Sequence, residues 1–158
     1  MTEAPASPSP SPPPSPGRPG RPGRPGLPSD FRQVRGRIGE ETAAAELSRR
    51  GYRILERNWR ARTPGGGELD LVALDGEVLV FVEVRLKTSE EMGSPFESVT
   101  RRKQRKIARA ASAYLMEMKV EDRDCRFDVV GVTFDEQGRP QCEVIQDAFV
   151  LGEERWNL

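Results

Sequence analysis

From about Asp30 to Arg50, Ile38, Ala44, Leu47 and their neighbours recur three and four residues apart, the spacing that lines side chains along one stripe of a helix. Gly51 supplies a left-handed stop, while Gly36 and Gly39 weaken the start. Tyr52 to Trp59 alternates as a strand does. A loop follows, with Pro64 and the run Gly65, Gly66, Gly67, where backbone can approach a ligand closely. Glu68 to Leu74 and Glu77 to Leu86 are predicted strands separated by Asp75-Gly76, a dipeptide that favours a tight hairpin because both positions tolerate positive φ. The second of them is nearly continuous in Val, Leu and Phe, which predicts burial on both faces at the centre of a sheet. A second helix is predicted from about Thr100 to Met118, with Thr100 as N-cap and Ile107, Ala110, Ala111, Tyr114 and Leu115 on one stripe. Cys125 to Phe134 reads as a strand, Asp135 to Arg139 as a turn and Cys142 to Ile145 as the last strand. The order helix, three strands, helix, strands indicates an α/β fold, a mixed central sheet flanked by helices.

Against this pattern, several acids stand where apolar residues are expected. Symmetric closure of the hairpin about Asp75-Gly76 pairs Leu74 with Glu77, Asp70 with Phe81 and Glu68 with Glu83. Alternation then puts Glu68, Asp70, Glu83, Arg85 and Lys87 on one side of the sheet. Glu83 lies between Val82 and Val84 in the most apolar strand of the chain, where an uncompensated carboxylate is costly, so it requires a partner. Clustered carboxylates repel unless a cation joins them, and hard oxygen ligands suit Mg²⁺ or Mn²⁺ rather than zinc. Glu40 adds a third acid. Residues three, four and seven positions on are Ala43, Ala44 and Leu47, so Glu40 shares the apolar stripe and should point towards the sheet. A metal held by Glu40, Asp70 and Glu83, with Arg85 or Lys87 stabilising developing charge, has the make-up of a phosphodiester-cleaving site.

Composition narrows the chemistry. The 158 residues carry 25 Lys and Arg against 25 Asp and Glu and no histidine. Imidazole general bases, Ser/His/Asp triads and His-ligated zinc are therefore excluded. The longest apolar run, Val78 to Val82, is far short of the roughly 20 residues of a membrane span. Cys125 and Cys142 are too few for a disulfide framework and are expected to be buried small apolar residues. With no apolar leader segment, they indicate a reducing, cytoplasmic setting. Residues 1–28 hold 11 of the 14 prolines and are expected to be a disordered Pro/Gly/Arg-rich tail whose Arg18, Arg21 and Arg24 could touch phosphate weakly. Residues 29–158 then form a single domain.

That domain is mildly acidic, with 22 basic and 24 acidic residues, so nucleic-acid binding must depend on a local patch. The best candidate is the basic first half of the second helix, where Arg102, Lys103 and Lys106 could position a nucleic-acid backbone. Each feature also has a plainer meaning. An acid on a hairpin is usually solvated, one near a helix start complements its dipole, one close to Arg forms an ion pair, and a basic helix face is usually just soluble surface.

Gly39-Glu40, Gly51-Tyr52, Arg57-Asn58, Gly67-Glu68-Leu69-Asp70-Leu71, Val80-Phe81-Val82-Glu83-Val84-Arg85, Val99, Lys103, Lys106, Ala113-Tyr114-Leu115 and Arg126-Phe127-Asp128-Val129-Val130 follow one another in an order that resembles the YraN family across nearly all of residues 32 to 150. That family is similar to the restriction-endonuclease-like, tRNA-endonuclease-like superfamily, whose signature is Asp, a gap, then Glu-x-Lys. The resemblance implies a restriction-endonuclease-like core, a Mg²⁺- or Mn²⁺-dependent nuclease or nuclease-like protein acting on DNA or RNA, and a site in which Asp70, Glu83 and Arg85 fall on the signature and Glu40 on the preceding helical acid. The departure is Arg85, which stands where the superfamily has Lys. Arginine cannot accept a proton, though it can grip phosphate, and Lys87 on the same face could substitute. Superfamily likeness alone does not imply turnover. Two other functions stay open: an inactive nucleic-acid-binding module, and a small scaffold protein whose acids form structural ion pairs.

Overall fold

A computed structural model describes residues 29–87 and 99–150, and the tail expected at residues 1–28 lies outside them. Helix α1 spans Ser29–Arg49, followed by strands β1 (Arg53–Arg60), β2 (Glu68–Asp75) and β3 (Val78–Leu86), helix α2 (Arg101–Glu117) and strands β4 (Cys125–Phe134) and β5 (Pro140–Ile145). The strands form one sheet in the order β1-β2-β3-β4-β5, with every neighbouring pair antiparallel except β3 and β4. That parallel pair is made possible by the crossover through α2. The central position of β3 accounts for its unbroken run of buried residues from Leu79 to Glu83.

The two helices cover opposite faces. Ala43, Ala44 and Leu47 of α1 pack on Leu71, Ala73, Val80, Val82, Val130 and Val132. Ile107, Ala110, Ala111 and Tyr114 of α2 pack on Val72, Leu74, Phe81, Phe127 and Val129. Tyr114 meets the edges of both Trp59 and Phe81, at centroid distances of 5.1 and 5.8 Å, a geometry the aromatic quadrupole favours. The glycines that weaken α1 have a packing reason at Gly39, where a Cβ would lie 2.7 Å from the Leu86 side chain at the end of β3. At the other end Gly51, with φ +97°, stops the helix as expected.

The hairpin departs from the expected register. Asp75 pairs with Val78 and Leu71 with Val82, so the turn is centred on Gly76-Glu77 rather than Asp75-Gly76. Of these two, only Gly76 has positive φ (+59°), the pattern of a type II′ turn with glycine first. The slip amounts to two residues and leaves every side chain of β3 on its expected face, because the strand period is two. It nevertheless changes the neighbours: continued one pair further, this register sets Asp70, not Glu68, opposite Glu83. The cysteines also differ from expectation. Cys125 and Cys142 are free and half-buried, each at the margin of a different core.

Candidate carboxylate pair and basic groove

Asp70 sits where β2 changes character. Leu69 packs in the α2-side core and Leu71 in the α1-side core, although they are two residues apart, so alternation breaks between them. The Asp70 carboxylate accepts the backbone N–H of Val84 at 2.8 Å, replacing a ladder bond with a side-chain bond. This turns the acid inward beside Glu83, which is itself buried at 5 % exposure. The partner that Glu83 requires is supplied twice: Lys103 Nζ from α2 lies 3.2 Å from Glu83 Oε1, and Arg85 lies 3.6 Å from the same oxygen.

These cations do not fully offset the loss of water. Burial, then the Asp70 charge, push Glu83 up to about 7, against the opposing pull of Lys103 and Arg85. Asp70 is also raised, again mainly by burial, and is held down by the Val84 N–H, the Lys103 charge and the hydrogen bond with Glu83. The two carboxyls thus titrate as a pair, with proton and ammonium both contributing to its neutralisation.

Beside the pair opens a groove of about 520 Å³ between the loop after β1 and α2. Arg60, Arg62, Lys103, Lys106 and Arg109 line it, with Glu68 as its acid. Arg60 and Glu68 are 3.3 Å apart at its rim. Lys103 therefore belongs to both features, since it lines the groove and touches Glu83.

The loop is fastened to α2. Glu117 Oε1 accepts the backbone N–H groups of Arg62 and Thr63 at 2.9 and 3.4 Å. At Gly67 the backbone comes so close to α2 that a Cβ would lie 3.2 Å from Ala110 Cβ, and φ is +91°. The close approach expected of the glycine run is thus to a helix of the protein itself. At Gly66 a Cβ would fall 2.4 Å from Ala61 Cβ and 3.1 Å from the Thr63 carbonyl oxygen. Gly66→Ala is accordingly expected to cost about 1–3 kcal/mol, measured as a lowered urea midpoint. An unchanged midpoint would mean that the loop yields without cost.

The structure brings Asp70, Glu83, Arg85 and Lys103 together and does not bring Glu40 to them. Glu40 Oε2 accepts a hydrogen bond from the Asn58 side-chain amide at 2.8 Å, and Glu40 lines a separate surface hollow with Gln33, Arg37 and Arg60. Among the described residues no three His, Cys, Asp or Glu side chains are gathered as a metal cage. For the expected cation the described residues therefore offer two carboxylates with an ammonium on one of them, a set that does not by itself hold a divalent ion. Lys87 lies just beyond β3, its backbone N–H donated to Val132 at 2.9 Å. Lys106 lines the groove and the exposed Arg102 does not, whereas Arg60, Arg62 and Arg109 do and were not singled out by the sequence. Arg60 and Arg62 come from β1 and the loop after it, so linear spacing gives no sign that they share a wall with α2, whereas Arg109 follows Lys106 by three residues and the helical period brings the two to one side.

A second buried acid was also not singled out. Asp128, fully buried on β4, accepts from Arg126 Nε at 2.8 Å, from the Tyr52 hydroxyl at 3.0 Å and from the Asp147 backbone N–H at 2.9 Å. Arg126 reaches on to Asp75 at 2.8 Å and Gln146 donates to the Tyr52 oxygen at 2.6 Å. An acid between Phe127 and Val129 is the same signal that drew attention to Glu83.

Comparison with known proteins agrees with the motif order. The sequence model of a family described as "Uncharacterised protein family UPF0102" matches residues 39–132. A UPF0102 protein of Symbiobacterium thermophilum is 50% identical over 114 residues, 72% of this chain and 94% of that protein. One of Moorella thermoacetica is 50% identical over 119 residues, 75% of this chain and 97% of that one. One of Geobacter sulfurreducens is 44% identical over 123 residues, covering 78% and 94%.

Proposed function

Because the chain belongs to the UPF0102 family, the YraN family that its motifs resemble, we propose that it is a nuclease-like protein that grips the backbone of DNA or RNA in the groove along α2 and presents a phosphodiester to the Asp70–Glu83 pair. The observation that carries this reading is the position of Lys103, the least exposed of five groove cations and the one in contact with the buried Glu83 carboxylate, beside Asp70. A groove with five cations and one acid in its lining, on a domain that is mildly acidic as a whole, is a local concentration of positive charge of the kind a polyanion seeks. Arg60 also lines the neighbouring hollow beside Arg37, which extends the basic surface around the β1 edge.

The residues have separable tasks. Lys106 and Arg109 hold backbone phosphates. Arg85, with its fixed fork of donors, stabilises charge on a phosphoryl oxygen but cannot act as a base. Glu83, poised near neutral pH, can hold or release a proton beside the phosphate. Among the described residues no helix is long and apolar enough to cross a membrane, and the two free cysteines suit a reducing, cytoplasmic setting.

Anisotropy of labelled single-stranded, duplex and branched oligonucleotides tests the reading. Binding is expected to weaken steeply with salt, and reversing Lys106 and Arg109 to Glu should weaken it across sequences and reduce the log–log salt slope by about 2. Absent or salt-independent binding would sink the proposal. Loss of strand scission on Asp70→Asn, with binding kept, assigns the nuclease; binding without scission in the parent chain assigns the inactive module. The ion pairs of Glu83 with Lys103 and Arg85 favour a second reading, a scaffold held by structural charges. It predicts no oligonucleotide binding.

A further inference from the structure

We infer that the hollow between the first half of α1 and the outer end of β1 seats one unpaired nucleotide, its base against Glu40, with guanine preferred. This rests on the groove reading above for the rest of the strand, because Arg60 lines both concavities and joins them around the β1 edge. The hollow measures about 750 Å³, a size that suits a compact organic ligand. Gln33, Gly36, Arg37 and Glu40 stand one to four residues apart along one side of α1 and form one wall, and Asn58 and Arg60 form the other.

Two local costs meet here. Gly36 lies inside a helix, where glycine is a poor former, and unlike Gly39 it has no neighbour that forbids a side chain, since a Cβ would meet nothing within 4 Å. Its missing side chain keeps the hollow open. Asn58 stands in a strand yet has φ +51°, in the left-handed region, and its side-chain amide donates to Glu40 Oε2 at 2.8 Å. Strain of this kind persists where a site needs a side chain held in one place. The bond orients the Glu40 carboxylate and leaves its second oxygen to accept.

The lining suits a nucleotide better than a bare anion. Glu40 repels phosphate, whereas a carboxylate accepts the N1–H and N2–H donors on the pairing edge of guanine, which is free only in an unpaired base. Adenine presents an acceptor, N1, at the same place. Val34 lines the hollow 53 % exposed and offers apolar surface to the face of a base, and guanidinium planes such as that of Arg37 stack on bases. Arg57 joins Arg37 in the adjoining recess, which puts a second guanidinium within the same surface for the phosphate of the nucleotide.

The test uses the full-length chain in two arms. In the first, guanosine 5′-monophosphate is titrated while the ¹⁵N resonances of the Gly36 backbone amide and the Asn58 side-chain amide are followed. Both should shift, with an affinity about tenfold above that for adenosine 5′-monophosphate, and inorganic phosphate should give no saturating shift. Gly36→Phe, which fills the hollow, and Glu40→Gln, which exchanges an acceptor for a donor, should each lose the guanine preference, whereas Gly36→Ala should keep it. Both Gly36 variants should match or exceed the urea midpoint of the parent, because glycine is the poorer helix former. In the second arm, oligothymidylate with one central guanine should bind about tenfold more tightly than plain oligothymidylate, and reversing Lys106 and Arg109 to Glu should weaken both while preserving their ratio. Equal affinities within either pair of ligands, a saturating shift with phosphate alone, or a guanine preference that survives Gly36→Phe overturns this inference and leaves the groove reading standing. Mononucleotide binding without any oligonucleotide binding overturns the groove reading instead.

Discussion

Asp128→Ala is expected to lower folding stability by about 3–5 kcal/mol, the range for removing one partner of a buried, hydrogen-bonded ion pair. The cost arises from the groups left behind. Arg126 would lose both of its short bonds to Asp128, and the Tyr52 hydroxyl and Asp147 N–H would lose an acceptor. These donors tie β4 to the end of α1 and to the chain after β5, so their loss is spread over three elements. Asp128→Asn keeps an acceptor and should cost less. Joint replacement of Arg126 by Met and Asp128 by Leu should recover part of the stability, because the unpaired charge is gone, but not all of it, because Tyr52 and the Asp147 N–H remain without that acceptor. Urea unfolding of the three variants checks the order. An Asp128→Ala midpoint equal to that of the parent would show that the network is energetically idle.

Glu83 gives the second large effect, and it depends on pH. Its carboxyl is raised from 4.5 to about 7 by burial and by the Asp70 charge. Between these values the folded chain holds a proton that the unfolded chain has released. The resulting stabilisation is complete below about pH 4.5 and is lost as pH rises through about 7. At about 1.4 kcal/mol per unit, the change is on the order of 3 kcal/mol, shared within the Asp70–Glu83 pair. Glu83→Gln should therefore flatten the profile between pH 5 and 8 and leave the variant more stable than the parent at the alkaline end. Thermal or urea unfolding across that interval decides it, and a parent profile that rises with pH would contradict the assigned sign.

The acid in an apolar strand was a legible signal, and it identified Glu83 correctly as a residue that needs a partner. Its partners were legible only in part. Arg85 is two residues away on the same strand face, whereas Lys103 comes from α2, and only the packing of Ile107, Ala110 and Tyr114 against the sheet sets that helix where its first turn reaches Glu83. The helical spacing that placed Glu40 towards the sheet was sound as far as it went. It did not specify where along the sheet the carboxylate would arrive, and that place is Asn58, which stands in β1 with φ +51°.

By itself, the sequence determined the two helices, the central hairpin and the burial of β3, Glu83 included. Each of these follows from a period of 3.6 or 2 repeated along contiguous residues, and local sterics enforce such periods. Tertiary structure alone decided the two-residue register that sets Asp70 against Glu83, the five cations of the groove, the Asp128 network and the separation of Glu40. These are contacts between elements distant in the chain, fixed by how the helices seat on the sheet and where the turn closes, and a periodic pattern leaves both unspecified.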